Sequence, residues 1–320
     1  MWRPTLSLET LRLRAALLER TRRFFASRAV LEVDTPMLVN APVSDAHIHS
    51  ATAKLSGSER LYFLHTSPEY AMKRLLAAGS GDIFQICHVV RGDERGRLHN
   101  PEFTLIEWYR RGCSLDALMN EVDALVRELV AGRAARFATE RLTWREAFVR
   151  YAQLDPIEMS DAALKDAAIA SGLAPESAAL SGRDSFLDYL MSTRVGPQLG
   201  RGAFSFVHRY PASQAALARL DPEDPRFALR FELYCEGIEL ANGFAELGAS
   251  AEQRARFERD LAERERRALP RHPLDERLLA ALSSGLPDCA GVALGFDRVL
   301  MLAAGAGHID DVLPFPTDRA

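Results

Sequence analysis

Arginine, acidic and aromatic residues come together in one short part of the chain, residues 83–110. Arg91 is followed two residues later by Asp93, and Phe103 begins a run in which side chains of different type alternate. A guanidinium group can make two hydrogen bonds to a phosphate, and an aromatic ring can stack on a purine. The run predicts a nucleotide-binding surface. The alternative is an ordinary surface hairpin with a charged tip.

The same alternation places a carboxylate and a phenol beside that ring. If residues 103–109 form a strand, Phe103, Glu107 and Tyr109 share one of its faces. The preceding residues 83–90 are rich in β-forming side chains, and residues 92–100 combine charges with glycine. We therefore expect two strands joined by a long loop.

A second pair of acids lies in residues 231–246. A two-residue turn would pair Tyr234 with Glu239, which makes Glu232 and Glu239 diagonal neighbours on the polar face of a hairpin. Two like charges in this position repel and need a cation, and Mg²⁺ bridging nucleotide phosphates is the obvious candidate. The alternative is that both acids face water.

Glycine marks two further places of interest. Gly243 interrupts a strand pattern and predicts a β-bulge that re-aims Phe244 and Glu246. At Gly295 the backbone can approach a ligand closely, and Arg298, in the first turn of the following helix, could hold a phosphate or cover a purine ring.

Two weaker signals complete the candidate residues. Ser67, Pro68 and Glu69 form a helix start, in which Glu69 on local evidence only complements the helix dipole. His47 and His49 could share a strand face and bind a metal, but no third ligand is in view, so a solvated loop is favoured.

Capping residues and hydrophobic periodicity predict the elements that position these groups. Ser7 caps a helix that runs to Ala29 and continues into a strand at residues 30–34. The other predicted helices cover residues 67–79, 114–132, 143 onward, 160–172, 184–193, 251–269 and 275–283. The other predicted strands cover residues 61–65, 83–90, 103–109, 203–210 and the hairpin at 231–246.

Composition is that of a globular protein. The chain has 320 residues, a net charge of −4 and four cysteines without a C-x-x-C pair. These features favour neither a zinc site nor a disulfide framework. No apolar run reaches the length of a membrane span and no signal peptide is evident, so we expect a cytoplasmic protein without a membrane partner.

Three segments resemble the three signature motifs of class II aminoacyl-tRNA synthetases. They are residues 24–38, the hairpin that carries Arg91, and residues 291–298. The sequences HNPEFT at residues 99–104 and SPE at residues 67–69 are similar to the lysyl subgroup. Two positions depart from the family pattern: Asp93 stands where glutamate is usual, and Ala293 replaces the middle glycine of the third motif.

The resemblance implies an α+β fold, with an antiparallel sheet flanked by helices. It implies one catalytic domain over residues 1–320, in which about residues 132–200 form a mainly helical insertion or cover. It also implies a homodimer, through the first motif. The anticodon-binding domain that lysyl-tRNA synthetases carry ahead of this motif is expected to be missing.

The resemblance further assigns roles to individual residues. The catalytic residues would be Arg91 and Arg298, and the metal ligands Glu232 and Glu239. The ATP-binding residues would be Arg91, Asp93, His99, Asn100, Phe103, Glu239, Leu240, Gly295 and Arg298. The substrate-binding residues would be Ser67, Pro68, Glu69, Glu107, Tyr109, Asn242, Phe244, Glu246 and Ala293.

Within the class, the chain resembles the ligases that modify elongation factor P. This implies activation of (R)-β-lysine with ATP and Mg²⁺, through an aminoacyl-adenylate, and its attachment to a lysine of elongation factor P, with no tRNA involved. One alternative is a shortened lysyl-tRNA-synthetase-like enzyme that transfers α-lysine to tRNA or to a small molecule. Another is a regulator that binds a nucleotide or amino acid without catalysis.

Overall fold

The computed structural model of the protein describes residues 2–134, 137–179 and 182–320. It divides into two units, the first formed by Met1–Gly132 with Glu246–Ala320 and the second by Arg133–Ala245. The expected helical segment, about residues 132–200, lies almost wholly in the second unit. One domain over residues 1–320 stays a prediction.

Helices and strands alternate irregularly along the chain. The helices are α1 (Leu8–Ala26), α2 (Glu69–Ala77), α3 (Leu115–Leu129), α4 (Ala131–Ala134), α5 (Trp144–Ala152), α6 (Asp161–Ala170), α7 (Pro175–Ala179), α8 (Arg183–Leu190), α9 (Ser250–Arg266), α10 (Glu276–Gly285) and α11 (Phe296–Ala304). The strands are β1 (Leu31–Glu32), β2 (Leu38–Val39), β3 (Thr52–Lys54), β4 (Leu61–Leu64), β5 (Ile83–Val90), β6 (Glu102–Arg111), β7 (Ala138–Thr143), β8 (Ala203–Pro211), β9 (Phe227–Cys235), β10 (Ile238–Ala245) and β11 (Cys289–Gly295). The α+β class is thereby confirmed.

In the first unit, four strands lie in the order β1-β5-β6-β11. The predicted hairpin is confirmed as the antiparallel pair β5 and β6, in which Gln85 lies opposite Glu107. Strand β11 pairs with the other edge of β6, whereas β1 runs parallel to β5. The sheet is thus mixed rather than purely antiparallel, and β2, β4 and β3 form a second, antiparallel sheet.

The two faces of this first sheet bury different groups. On one face, the Phe25 ring of α1 stacks on Phe84 with centroids 4.4 Å apart and meets Trp108 edge-on at 5.2 Å. On the other face, Tyr109 packs in a cluster with Met72 of α2. Each such side chain stabilises the fold by roughly 1.5–3 kcal/mol. Helix α2 therefore covers the face of β6 that carries Tyr109.

Capping explains where several helices begin. The Ser7 and Ser114 side chains accept the backbone N–H groups of Thr10 and Ala117, and Thr143 forms the predicted capping box. The first helix ends at Ala26 rather than at Ala29, because Ala29 takes a left-handed conformation with φ of 54°. The strand predicted for residues 30–34 shortens to β1.

Pro68, predicted in the first turn of α2, is instead its N-cap, and the helix ends at Ala77. Ser67 still accepts the backbone N–H of Glu69, at 3.0 Å. Ser67 is therefore the residue before the N-cap and not the N-cap that the sequence pattern predicts.

The second unit has its own strand order, β10-β9-β8-β7, in which only β7 and β8 are parallel among the described residues. The predicted pairing of Tyr234 with Glu239 is confirmed. The bulge predicted at Gly243 is wrong, because the register shifts between Glu239 and Ala241. Asn242, rather than Ala241, consequently lies opposite Glu232.

Within the described residues, every helix is too short or too polar to cross a lipid bilayer.

Candidate active site

Three acidic side chains of the first unit meet above the β6 strand. Glu107 comes from β6, Glu69 begins α2, and Glu246 directly precedes the segment that leads into α9. The Tyr109 hydroxyl and the Ser67 hydroxyl each donate a 2.7 Å hydrogen bond to Glu107. The structure thus brings five of the predicted substrate-binding residues together.

A lysine that the sequence analysis did not single out lies at the centre of this group. The Nζ atom of Lys73 is 2.6 Å from a carboxylate oxygen of Glu69 and 2.6 Å from one of Glu246. The Lys73 side chain is 1% exposed. We call Glu69, Lys73, Glu107 and Glu246 the charged cluster.

Burial and mutual repulsion alter proton affinities in the charged cluster. Burial, and then the neighbouring Glu69 carboxylate, raise the pKa of Glu107 to about 8, although hydrogen bonds from Ser67 and Tyr109 oppose the change. Burial would lower the pKa of Lys73, but Glu246 and Glu69 more than offset it and raise the pKa above its ordinary value. Near neutral pH, Lys73 is therefore charged and Glu107 is largely protonated.

Strand β11 pairs with β6 and lies next to the charged cluster. Gly291 lies opposite Tyr109 and Ala293 lies opposite Glu107. A Cβ atom at Gly291 would overlap the Tyr109 ring and come within 2.5 Å of a Glu246 carboxylate oxygen. Glycine is required here because the backbone passes directly beneath two site residues, whereas the Ala293 methyl group stands next to Glu107.

Two predicted phosphate-binding arginines converge on the loop between β5 and β6. The Arg91 guanidinium lies over the Phe103 ring, with its carbon 5.2 Å from the centroid. Arg298 lies 2.7 Å from His99 and donates to the Leu98 carbonyl oxygen. Burial, followed by the charges of Arg298 and Arg91, lowers the pKa of His99, so its neutral ring can accept a hydrogen bond from Arg298.

The Nε atom of Arg91 is buried and has no hydrogen-bond partner among the described residues. A buried donor without a partner is costly. The Arg91 guanidinium also pairs with Glu94 at 3.6 Å beside the Phe103 ring, and its role at a nucleotide phosphate stays a prediction.

Arg298 is held in place by residues that the sequence analysis missed. The preceding residue, Asp297, is 2% exposed, accepts the Thr104 backbone N–H at 2.7 Å and pairs with Arg14 of α1. This anchors the start of α11 to β6. The sequence shows Asp297 directly before Arg298, but it does not show that Asp297 pairs with Arg14, which lies 283 residues away in the chain.

The remaining predicted ATP-binding residues of the first unit have other partners. Asp93 is 3.0 Å from His49, and the Asn100 amide bonds the backbone of Glu102 and Thr317. Gly295 is the N-cap of α11. His47, which together with His49 is expected to lie in a solvated loop rather than to bind a metal, contacts Arg267. Each of these roles stays a prediction.

The second unit holds the predicted metal ligands. One Glu232 oxygen is 2.5 Å from Arg230, and the other accepts hydrogen bonds from Tyr210 and Tyr234. Arg230 also bonds Asn242 and lies beside Phe244, with its guanidinium carbon 5.9 Å from the ring centroid.

Arg230 therefore supplies a positive charge beside the acid pair. Glu232 thus has protein partners on both oxygens, and the roles of Glu232 and Glu239 as ligands of Mg²⁺ stay a prediction. Within the described residues, no three or more histidine, cysteine, aspartate or glutamate side chains are arranged so that they could hold a metal ion.

Comparison with known proteins places this arrangement in a family. A family model described as tRNA synthetases class II (D, K and N) matches residues 2–319. The chain belongs to this family.

Three class II relatives match this chain over nearly their whole length. An elongation factor P–(R)-β-lysine ligase of Pectobacterium carotovorum is 47% identical over 323 residues, which cover 100% of this chain and 98% of the relative. Proteins of the same name from Vibrio cholerae and Salmonella typhi are 48% and 46% identical, with the same coverage.

Proposed function

We propose that this class II protein activates (R)-β-lysine with ATP and attaches it to a lysine side chain of elongation factor P. Relatives named for this reaction match the chain throughout. The structural observation that supports the proposal is the charged cluster, in which Lys73 pairs with Glu69 and Glu246 and the Glu107 carboxyl group lies beside them. Its excess of negative charge suits an amino acid with two ammonium groups.

In the first step, a carboxylate oxygen of β-lysine attacks the α-phosphorus of ATP. A bond forms between these atoms, the bond from the α-phosphorus to the bridging oxygen breaks, and pyrophosphate leaves. Arg91 and Arg298 would neutralise the phosphate charge, and Phe103 would stack on the adenine. Catalysis of this kind depends on positioning and charge neutralisation, so no protein nucleophile is needed.

In the second step, the neutral amine of the acceptor lysine attacks the carbonyl carbon of the adenylate. The new C–N bond becomes an amide, the C–O bond to phosphate breaks, and AMP leaves with its electron pair. The amine loses one proton to solvent. Glu69, Glu107 and Glu246, with Tyr109 and Ser67, would hold the two ammonium groups of the substrate through both steps.

Further residues would assist ATP and substrate binding. His99, Asn100, Asp93 and Gly295 are proposed around the nucleotide in the first unit. In the second unit, Leu240 is proposed for ATP, and Asn242 and Phe244 for the substrate.

Glu232 and Glu239 are proposed to hold Mg²⁺, which would withdraw charge from phosphate oxygens. We also propose that the protein acts as a cytoplasmic homodimer. Exposed apolar side chains near β1 support the dimer: Leu31, Met37 and Leu38 are 55%, 38% and 37% exposed.

Two assays with purified protein test the proposed function. The first is ATP–pyrophosphate exchange with (R)-β-lysine, in which we expect a clear signal that falls at least about 100-fold for Glu246→Gln while thermal unfolding stays cooperative. The second is the mass of elongation factor P after incubation with ATP and β-lysine, which should increase by one β-lysyl group.

Parallel reactions separate the alternatives. Exchange with α-lysine and transfer to tRNA, without modification of elongation factor P, would favour a synthetase-like enzyme. Binding of ATP without exchange for any amino acid would indicate a regulator. Either result contradicts the proposed function.

A further inference from the structure

Lys73 gives the charged cluster a definite total charge. With all acids ionised, Glu69, Glu107 and Glu246 contribute three negative charges and Lys73 contributes one positive charge. Among the described residues, the other titratable groups that face the cluster are Tyr109 of β6, Cys87 of β5 and Tyr70 of α2, which lies beside Glu69. Burial is the first cause that raises the pKa of all three, that of Cys87 to about 12, so all three are neutral near pH 7.

The position of Lys73 is set from two sides. It lies four residues after Glu69 on α2, where side chains at this spacing face each other. Its neighbours Met72 and Leu76 belong to the buried side of the same helix. The Lys73 ammonium is therefore carried into the protein interior, where Glu246 is its second partner.

We infer that Lys73 is a fixed counter-ion that limits the charged cluster to two negative charges, which matches the two ammonium groups of a diamino acid. This rests on the proposed function for the identity of the substrate. Lys73 acts through Glu69 and Glu246 and is a positioning residue. An uncompensated set of three buried acids would take up protons instead of binding a dication.

The protonation of Glu107 agrees with this charge count. In the protein without substrate, Glu69, Glu246 and Lys73 sum to one negative charge, while Glu107 is held largely protonated by burial and by Glu69. A bound dication would favour ionised Glu107. Substrate binding near pH 7 should therefore release about one proton.

Lys73→Met removes the ammonium while keeping most of the side-chain length. Without Lys73, Glu69 and Glu246 lose the ammonium that lies 2.6 Å from each of them, so the ionised cluster carries one more uncompensated buried negative charge. Acids whose pKa is higher in the folded than in the unfolded state stabilise the fold at low pH, and this stability is lost as pH rises. The melting temperature of Lys73→Met, without ligand, should fall more steeply than that of the unmodified protein between pH 5 and 8.

Arg74→Met is the matched control. Arg74 is the next residue of α2 and is exposed, so this change also removes one positive charge from the same helix. Its pH profile should parallel that of the unmodified protein. Equal profiles for Lys73→Met and Arg74→Met would overturn the inference.

The double variant Lys73→Met with Glu69→Gln covers the case in which Lys73→Met does not fold. It removes one acid together with the cation and so restores two negative charges. Cooperative unfolding and a pH profile close to that of the unmodified protein are expected. A double variant that stays unfolded, or keeps the steep profile, would show that charge compensation is not the role of Lys73.

The number of protons released when (R)-β-lysine binds tests whether Lys73 sets the charge of the cluster that receives the substrate. Calorimetric titration with (R)-β-lysine, in buffers of different ionisation enthalpy, should give about one proton released for the unmodified protein and about one more for Lys73→Met. An equal count contradicts the inference. Failure of elongation factor P modification together with the expected ligand-free pH profiles would instead reject the proposed function and leave the counter-ion role intact.

Discussion

The backbone N–H of Thr104 donates a 2.7 Å hydrogen bond to the carboxylate of Asp297, whose other oxygen pairs with Arg14. This contact joins β6 to the start of α11 and so fixes Arg298. For Asp297→Asn we expect a loss of roughly 3 kcal/mol in the free energy of unfolding, because Arg14 would lose its buried partner. The KM for ATP in pyrophosphate exchange should increase about 10-fold.

Glu32→Gln is the control for this change. It breaks the exposed ion pair with Arg22, which belongs to the same helix as Arg14. Such a pair contributes at most about 1 kcal/mol. Equal losses of stability in urea denaturation for the two variants would contradict the anchoring role of Asp297.

Gly291→Ala should disturb the charged cluster directly. The added methyl group would overlap the Tyr109 ring and crowd the Glu246 carboxylate. We expect a loss of roughly 1–3 kcal/mol in stability from overpacking, and a fall in exchange activity of about 100-fold. Gly307→Ala, where an added Cβ meets nothing within 4 Å, should match the unmodified protein in both measurements.

Glu107 should make stability depend on pH in the protein without substrate. Its pKa, raised to about 8 by burial and then by Glu69, lies above the unfolded value, so its contribution is complete below the unfolded pKa and is lost as pH rises through about 8. Glu107→Gln stays neutral at every pH. Relative to the unmodified protein, the variant should gain roughly 3 kcal/mol in the free energy of unfolding between pH 5 and 8.

Urea denaturation at each pH measures this difference. Glu128→Gln, an exposed change on α3, serves as the control and should show a difference that does not vary with pH. A constant difference for Glu107→Gln as well would mean that Glu107 is ionised throughout this range.

Local pattern was sufficient to predict the hairpin that carries the site. Period-two alternation predicted that Glu107 and Tyr109 share a face, and they are hydrogen-bonded there. The β5 strand has the predicted bounds. Strand bounds and the face on which a side chain lies depend on residues that are close in the sequence, so both can be predicted from the sequence alone.

Contacts between residues that are distant in the sequence, such as that of Lys73 with Glu246, cannot be predicted from local patterns. The spacing of Glu69 and Lys73 alone predicts an ordinary helical ion pair, and only Glu246, which is distant in sequence, makes it part of a buried cluster. The signal that the sequence contains is the position of Lys73, directly after Met72 and four residues after Glu69. Glycine within a strand often marks a bulge, so the sequence points to Gly243, whereas the observed register shift lies at Leu240, which has no such local marker.

Leu31→Glu should weaken the proposed homodimer. Leu31 is 55% exposed in β1, an edge strand, and an exposed apolar edge favours association. We expect light scattering to show a shift from dimer to monomer, with little change in the helical circular dichroism signal. Val149→Glu replaces another exposed apolar residue, in α5, and should leave the mass unchanged. A monomeric unmodified protein would contradict the dimer.

Ala293→Gly should change the choice between lysine isomers. Ala293 lies opposite Glu107 on β11, so its methyl group limits the space beside one of the proposed ammonium-binding acids. Moving the amino group from the β to the α carbon shifts the ammonium by one bond, and one carbon in a close-fitting pocket changes discrimination by 10-fold or more. The ratio of kcat/KM for (R)-β-lysine to that for α-lysine in pyrophosphate exchange should fall about 10-fold. An unchanged ratio in a folded variant would place the discrimination elsewhere in the site.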